Sequence, residues 1–225
     1  MGSAFDAVLF DLDDTLVEYE RGQSELLAAA FADVGVDPFF DAAEYVRRYD
    51  DFADDAEGVN ELRRNCFSTI AAERGRDPEI GRAVADAFAA ERDHTRVCLL
   101  PGALDALDAV SDFRVGLVTN GAREMQRQKI EGAGLDDHFE TVVYAGADTP
   151  SKPHPAPFHR ATADLGVTPE RTLHVGNSLS SDVAGAHAAG VRSAWVPASD
   201  ETPDPVPNFS FANLREFAAR SWTTE

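Results

Sequence analysis

Ala7-Val8-Leu9-Phe10-Asp11-Leu12-Asp13-Asp14-Thr15-Leu16 decides the fold. An apolar run, Ala7 to Phe10, ends abruptly in acid. A run this short and apolar predicts a strand buried on both faces. In an open α/β sheet, ligands bind at the carboxyl ends of such strands. Asp11 and Asp13 are therefore expected at the mouth of a site. Strand side chains alternate, so the two carboxylates share a face if the extended geometry continues. Clustered carboxylates repel unless a cation or a shared proton relieves them. Hard oxygen ligands point to Mg²⁺. The alternative is that Asp-Leu-Asp-Asp begins a loop and caps a helix.

Beyond this stretch the pattern divides in two. Residues 17 to about 97 show no convincing strand. Leu26, Leu27, Ala30, Phe31 and Val34 repeat at helical spacing, and Gly35 ends the run. Similar spacing continues through Asp41 to Ala53, Val59 to Ala71, and Ile80 to Glu91 after Pro78, giving four expected helices. After Pro101-Gly102 strands and helices alternate. Strands are expected at Val115 to Thr119, Thr141 to Ala145, Thr172 to Val175 and Ser193 to Val196. Helices are expected at Ala103 to Val110, Arg123 to Ala133, Pro155 to Leu165 and Ser181 to Ala189. Such alternation predicts a parallel sheet with helices on both faces. Ala198 to Pro207 reads as a loop, Phe209 to Phe211 as a last short strand, and Leu214 to Arg220 as a final helix. Trp222 either packs or frays. The expected organisation is a Rossmann-like α/β core, residues 1–16 and 98–225, with an all-helical insert, residues 17–97.

The chain has 225 residues, 44% of them hydrophobic, enough to bury a core. No apolar stretch approaches a membrane span, and the first residues lack a secretory pattern. Cys66 and Cys98 are too few for a disulfide framework. These features predict a cytoplasmic protein. Forty acidic residues against 20 basic ones give a net charge of −20, which repels nucleic acid and anionic membranes. Lys129 and Lys152 are the sole lysines. An acid-rich, lysine-poor chain resembles proteins of salt-loaded cytoplasm, so a halophilic source is expected. The melting temperature should then rise with potassium chloride; a value flat from ~0.1 to ~3 M would count against this.

Four stretches carry chemistry. Asp11 can act as a nucleophile, and Asp13 as an acid and then a base. Val115-Gly116-Leu117-Val118-Thr119-Asn120-Gly121 ends a strand in a hydroxyl, an amide and a glycine N–H, ahead of a helix N-terminus suited to phosphate. It reads equally as a turn that caps that helix. Lys152, stiffly set in Ser151-Lys152-Pro153-His154-Pro155, offers a point charge to an anion. Val175-Gly176-Asn177-Ser178-Leu179-Ser180-Ser181-Asp182 places an amide and an acid after another strand.

In this order the four stretches resemble the motifs of the haloacid dehalogenase-like (HAD) hydrolases, across essentially the whole chain. The resemblance implies a helical cap that closes over the site. It implies Asp11 as nucleophile, Asp13 as acid and base, and Thr119, Asn120, Gly121 and Lys152 holding a phosphoryl group. Asp11, Asp13 through its carbonyl, Asn177 and Asp182 would ligate Mg²⁺, with Mn²⁺ as an option. Asn177 departs from the family, which has an acid there; its amide oxygen remains a hard ligand with one charge fewer. The dehalogenase branch lacks an acid at the place of Asp13, so phosphate chemistry is favoured. The implied activity is Mg²⁺-dependent hydrolysis of a small phosphorylated metabolite through an aspartyl-phosphate. A phosphotransferase or phosphomutase, a dehalogenase, and a binding protein on an enzyme scaffold are the alternatives. Arg47, Arg48, Asn60, Arg63 and Arg64 are candidates to read the substrate, against the alternative of solvated helix faces. His174 is expected as a hydrogen-bonded core residue, and Cys66 as core packing. His154 is a candidate for the entrance. Substrate identity and oligomeric state are not legible.

Overall fold

A computed structural model describes residues 4–52, 58–197 and 202–219. The chain forms two compact units, one of Met1–Tyr19 and His94–Glu225, the other of Glu20–Asp93. The first holds strands β1 (Ala7–Phe10), β2 (Val17–Tyr19), β3 (Val97–Leu99), β4 (Arg114–Asn120), β5 (Thr141–Ala145), β6 (Thr172–Gly176), β7 (Arg192–Trp195) and β8 (Phe209–Ser210), with helices between successive strands from β3 to β7. Six of them make one sheet in the order β5-β4-β1-β6-β7-β8, every pair parallel.

All four residues of β1 are buried, as the apolar run requires. Val8 and Phe10 join a cluster with Ala106, Leu107, Ile130, Leu214 and Phe217. Ala7 and Leu9 join the opposite cluster with Phe158, Ala161, Leu165 and Ala186. The alternation puts helices on both faces of a central strand.

The chain runs from β1 to its neighbour β4, out to β5, and then back across to β6 on the other side of β1. The strand order therefore reverses at β1. A crevice opens at such a reversal, beyond the carboxyl ends of the strands. Asp11, Asn120 and Asn177 follow or end the three strands that meet there.

The second unit holds α1 (Gln23–Val34), α2 (Ala42–Arg48), α3 (Val59–Glu73) and α4 (Pro78–Glu91). Asp41 caps α2 by accepting from the Glu44 amide, and Asp77 caps α4 ahead of Pro78. Leu26, Phe31, Phe40, Tyr45, Phe67, Ile70, Val84 and Phe88 form its core. Edge-to-face pairs such as Tyr45 with Phe67 (5.0 Å) knit the helices together.

One expectation fails. Residues 17 to 97 do contain a strand, β2, and the first residue of another, β3; the two pair antiparallel, Val17 opposite Leu99, and both belong to the first unit. Three residues are too few to show a period of two, so alternation could not reveal them. The expected helix at Ser181 begins instead as a π-helical turn, Leu179–Val183, that continues into a short α-helix, Ala184–Ala188. The expected terminal helix covers Leu214–Ala218. Ala53, most of the Ala198 to Pro207 loop's first half, Arg220 and Trp222 lie outside the described residues.

Candidate active site

Asp11 follows β1 and donates its backbone N–H to the Val175 carbonyl at 2.9 Å, extending the strand. Its carboxylate is buried. Lys152 reaches it from the loop after β5, and the ammonium is engaged three times: Asp11 Oδ1 at 2.6 Å, Asp182 Oδ1 at 2.7 Å and the Val118 carbonyl at 2.7 Å. Lys152 is 4% exposed, so this is a buried cation between two buried carboxylates. Gly176 makes room for the arrangement: a Cβ there would lie 2.4 Å from Asp182 Cγ.

One ammonium cannot neutralise two carboxylates equally. Burial alone would raise the Asp182 carboxyl, but the Lys152 ammonium and the His174 contact hold it far below the usual range. Burial pushes the Asp11 carboxyl up to about 7, aided by the Asp182 charge and opposed by Lys152. Burial opposes the charge on Lys152, yet Asp11 and Asp182 more than offset it and raise its proton affinity. Burial lowers that of His174, against its contact with Asp182.

Asp13 is partly exposed and tied down at both oxygens. Lys129 Nζ donates to Oδ1 at 2.6 Å, and Gln126 Nε2 donates to Oδ2 at 2.7 Å. Gln126 Nε2 also lies 2.6 Å from Thr119 Oγ1. An amide nitrogen does not accept, so the Thr119 hydroxyl proton is not taken by Gln126. Among the described residues that proton finds no acceptor, although Thr119 is fully buried. Asp14, next along, is exposed and left-handed at φ 56°, pointing the chain into its turn.

Other expected residues brace the loops around the site. The Asn120 side chain accepts from Lys152 N at 2.8 Å and donates to Lys152 O at 3.1 Å. It fixes the loop that carries the ammonium. The Gly121 N–H donates to the Ala145 carbonyl at 2.9 Å. The Gly121 N–H is thus committed to the backbone, while Asn120 Nδ2 keeps its second N–H. Asp182 is likewise committed: His174 Nε2 lies 3.0 Å from Oδ1, and the Ser178 N–H donates to Oδ2 at 3.0 Å. It also holds the Lys152 ammonium, at 2.7 Å. His174 is buried and hydrogen-bonded, as expected of a core residue. His154 is exposed and accepts from the Ala156 N–H at 3.1 Å.

Mg²⁺ fits part of the expected ligand set. No cluster of three or more His, Cys, Asp or Glu suited to a metal occurs among the described residues. Two oxygens, however, crowd one weak donor. The Thr15 hydroxyl lies 3.3 Å from Asp11 Oδ2 and 3.2 Å from Asn177 Oδ1, and its single proton can satisfy only one. Trp195 Nε1 donates to the Asn177 carbonyl at 2.7 Å and fixes that loop. Mg²⁺ tolerates few protein ligands because it keeps several waters. Asp11 Oδ2 and Asn177 Oδ1, whose one shared donor is the distant Thr15 hydroxyl, therefore suit it, whereas both oxygens of Asp13 and of Asp182 accept short hydrogen bonds.

Gln126 and Lys129 were missed in the sequence. The scarcity of lysine singled out Lys152 and applied with equal force to Lys129. In the helical unit, Arg48 pairs with Glu73, and Arg64 with Asp86, on the surface. Arg63 is buried, donating to the Tyr45 hydroxyl at 3.1 Å and to Asn60 Oδ1 at 3.3 Å. Cys66 is buried in the same core, and burial pushes its thiol up to about 11.

A family model described as haloacid dehalogenase-like hydrolase matches residues 5–190. A phosphoserine phosphatase of Thermus thermophilus is 38% identical over 69% of this chain and 63% of its own length. The chain thus spans less than two thirds of that relative. A glyceraldehyde 3-phosphate phosphatase of Methanopyrus kandleri is 30% identical over 93% of this chain and 94% of its own length. A Bacillus subtilis hydrolase solved bound to magnesium shares the fold, with a TM-score of 0.75 at 22% identity, over 96% of this chain and 98% of the other.

Proposed function

The chain belongs to the haloacid dehalogenase-like hydrolases, and we propose that it is a phosphatase of small phosphomonoesters. The observation that carries the reading is the buried Asp11 carboxylate seated on the Lys152 ammonium at the carboxyl end of β1. Relatives named as phosphatases support it, and so does an acid at Asp13.

A phosphoryl group beside Asp11 would find the Lys152 charge and the unused Thr119 proton. Asp11 attacks phosphorus, the bond to the ester oxygen breaks, and Asp13 gives that oxygen a proton. Water then attacks the aspartyl-phosphate, losing its proton to Asp13 and freeing phosphate and Asp11. Magnesium, which the Bacillus subtilis structure holds, would be ligated here by Asp11, Asn177 and the Asp13 carbonyl, and supplies charge neutralisation at the phosphoryl oxygens. Asp182 stays outside that set.

A cytoplasmic setting fits the two free thiols, and a salt-loaded one fits the acidic surface.

The test is phosphate release from a panel of small phosphomonoesters in high potassium chloride, with and without Mg²⁺ or Mn²⁺. Metal-stimulated release supports the reading. No release from folded protein removes it, and halide release from a haloacid would establish the dehalogenase chemistry instead. Asn177→Asp adds a charge next to Asp11 and should tighten Mg²⁺ binding about tenfold in a calorimetric titration. Equal or weaker affinity would take Asn177 out of the metal shell.

A further inference from the structure

We infer that Gln126 and Lys129 are positioning residues, which hold the Asp13 carboxylate at the site and reserve the Thr119 hydroxyl proton for the phosphoryl group. The inference rests on the phosphatase reading. Both residues belong to the helix Arg123–Gly132, three positions apart, and so lie on one helix face. Gln126 is 1% exposed and Lys129 4% exposed.

Burying such groups is unfavourable without a return. Gln126 Oε1 is buried with no hydrogen-bond partner among the described residues. Lys129 is a buried ammonium whose charge meets Asp13 at 2.6 Å and the Tyr19 ring at 4.9 Å. Leucine and methionine would pack this helix against the sheet without either penalty. A purely structural account therefore leaves the choice of residues unexplained.

The hydrogen-bond inventory supplies the reason. Asp13 is partly exposed, and a free carboxylate there would rotate. Lys129 takes one oxygen and Gln126 the other, so the plane of the carboxylate is fixed. Gln126 Nε2 also touches Thr119 Oγ1 and the Asn120 carbonyl, both at 2.6 Å. A serine or water in its place could accept the Thr119 proton; the amide nitrogen cannot. The same side chain thus orients the acid and keeps the phosphate donor available. The bare face of Gly121, at φ 133°, admits it: a Cβ there would lie 3.3 Å from Gln126 Nε2. A displacement of about 1 Å in such groups costs on the order of a hundredfold in rate.

The experiment combines a double-mutant cycle with a binding titration. Hydrolysis of p-nitrophenyl phosphate is followed for the wild type, Lys129→Met, Asp13→Asn and the double variant, with melting temperatures alongside. Lys129→Met should lower kcat about thirtyfold and leave KM within about twofold, because Asp13 acts on the reacting bond and not on ground-state binding. In the Asp13→Asn background the same change should cost less than about twofold. An unchanged kcat in folded Lys129→Met, or the full loss in the Asp13→Asn background, overturns the Asp13 half. If Lys129→Met does not fold, Lys129→Gln takes its place in the cycle.

Gln126→Ser, whose hydroxyl and the water it admits accept the Thr119 proton, should weaken binding of inorganic phosphate about tenfold by calorimetry, while Gln126→Leu, which offers no acceptor, and Lys129→Met leave it within about twofold. No weakening by Gln126→Ser, or equal weakening by Gln126→Leu, overturns the Thr119 half. A wild type that binds phosphate but releases none from any ester defeats the phosphatase reading and the Asp13 half with it. The Gln126→Ser titration then still decides the Thr119 half.

Discussion

Asp11→Asn releases phosphate from no ester at more than about a thousandth of the wild-type rate, while the fold persists. The amide keeps the volume and planar shape of the carboxylate. It lacks the charge to attack phosphorus. Lys152 does not lose its charged partner, because Asp182 still lies 2.7 Å away. The melting temperature gives a second reading. In the folded chain burial raises the Asp11 carboxyl to about 7, above its unfolded value. A raised carboxyl contributes stability that is complete below the unfolded pKa and is lost as pH rises through the folded one. The neutral amide undergoes no such loss. In metal-free buffer the Asn variant should therefore gain on the wild type in melting temperature between pH 4 and pH 8. Retained turnover would remove Asp11 as nucleophile. A variant that instead falls further behind the wild type as pH rises would contradict the burial argument.

Lys152→Met should abolish turnover and also weaken the fold. Its removal leaves the Asp11 and Asp182 carboxylates facing each other without their shared cation. Deleting one partner of a buried ion pair costs about 3–5 kcal/mol. For a chain of this length that lowers the melting temperature by roughly 6–20 °C. Phosphate release should drop at least about a hundredfold, as expected for loss of a donor at a developing charge. Thermal melting followed by circular dichroism and a phosphate-release assay separate the two effects. A variant as stable as the wild type would mean that solvent, not Lys152, compensates the carboxylates.

The two units differ in how they were legible. β1 was readable because four apolar residues buried on both faces stop at an acid, a pattern that local sequence carries entirely. Helices α1, α3 and α4 of the second unit were readable because their apolar stripes run over three turns or more. β2 and β3 were not, since their pairing joins residues some 80 positions apart and no local period marks them. At the site, Asp11 and Lys152 could be brought together in advance by the ordered motifs. What motifs could not show is which oxygen each donor would occupy. Asp182, expected as a metal ligand, also meets Lys152, His174 and the Ser178 N–H. Asn120, expected as a phosphate donor, also braces the Lys152 loop. Gln126 and Lys129 escaped notice because a polar helix looks solvated until its neighbours are known.

The placement of the two lysines also governs how the chain meets reagents and modifying enzymes. Both lysine ammonium groups are sequestered at motif aspartates, so the exposed basic side chains among the described residues are arginines and histidines. Acylating reagents, amine cross-linkers and conjugation machinery that attacks lysine find no exposed lysine on the native molecule. Acquisition of lysine label then becomes a clock for the opening of the site, one that a phosphate ligand would slow and that needs no knowledge of the substrate.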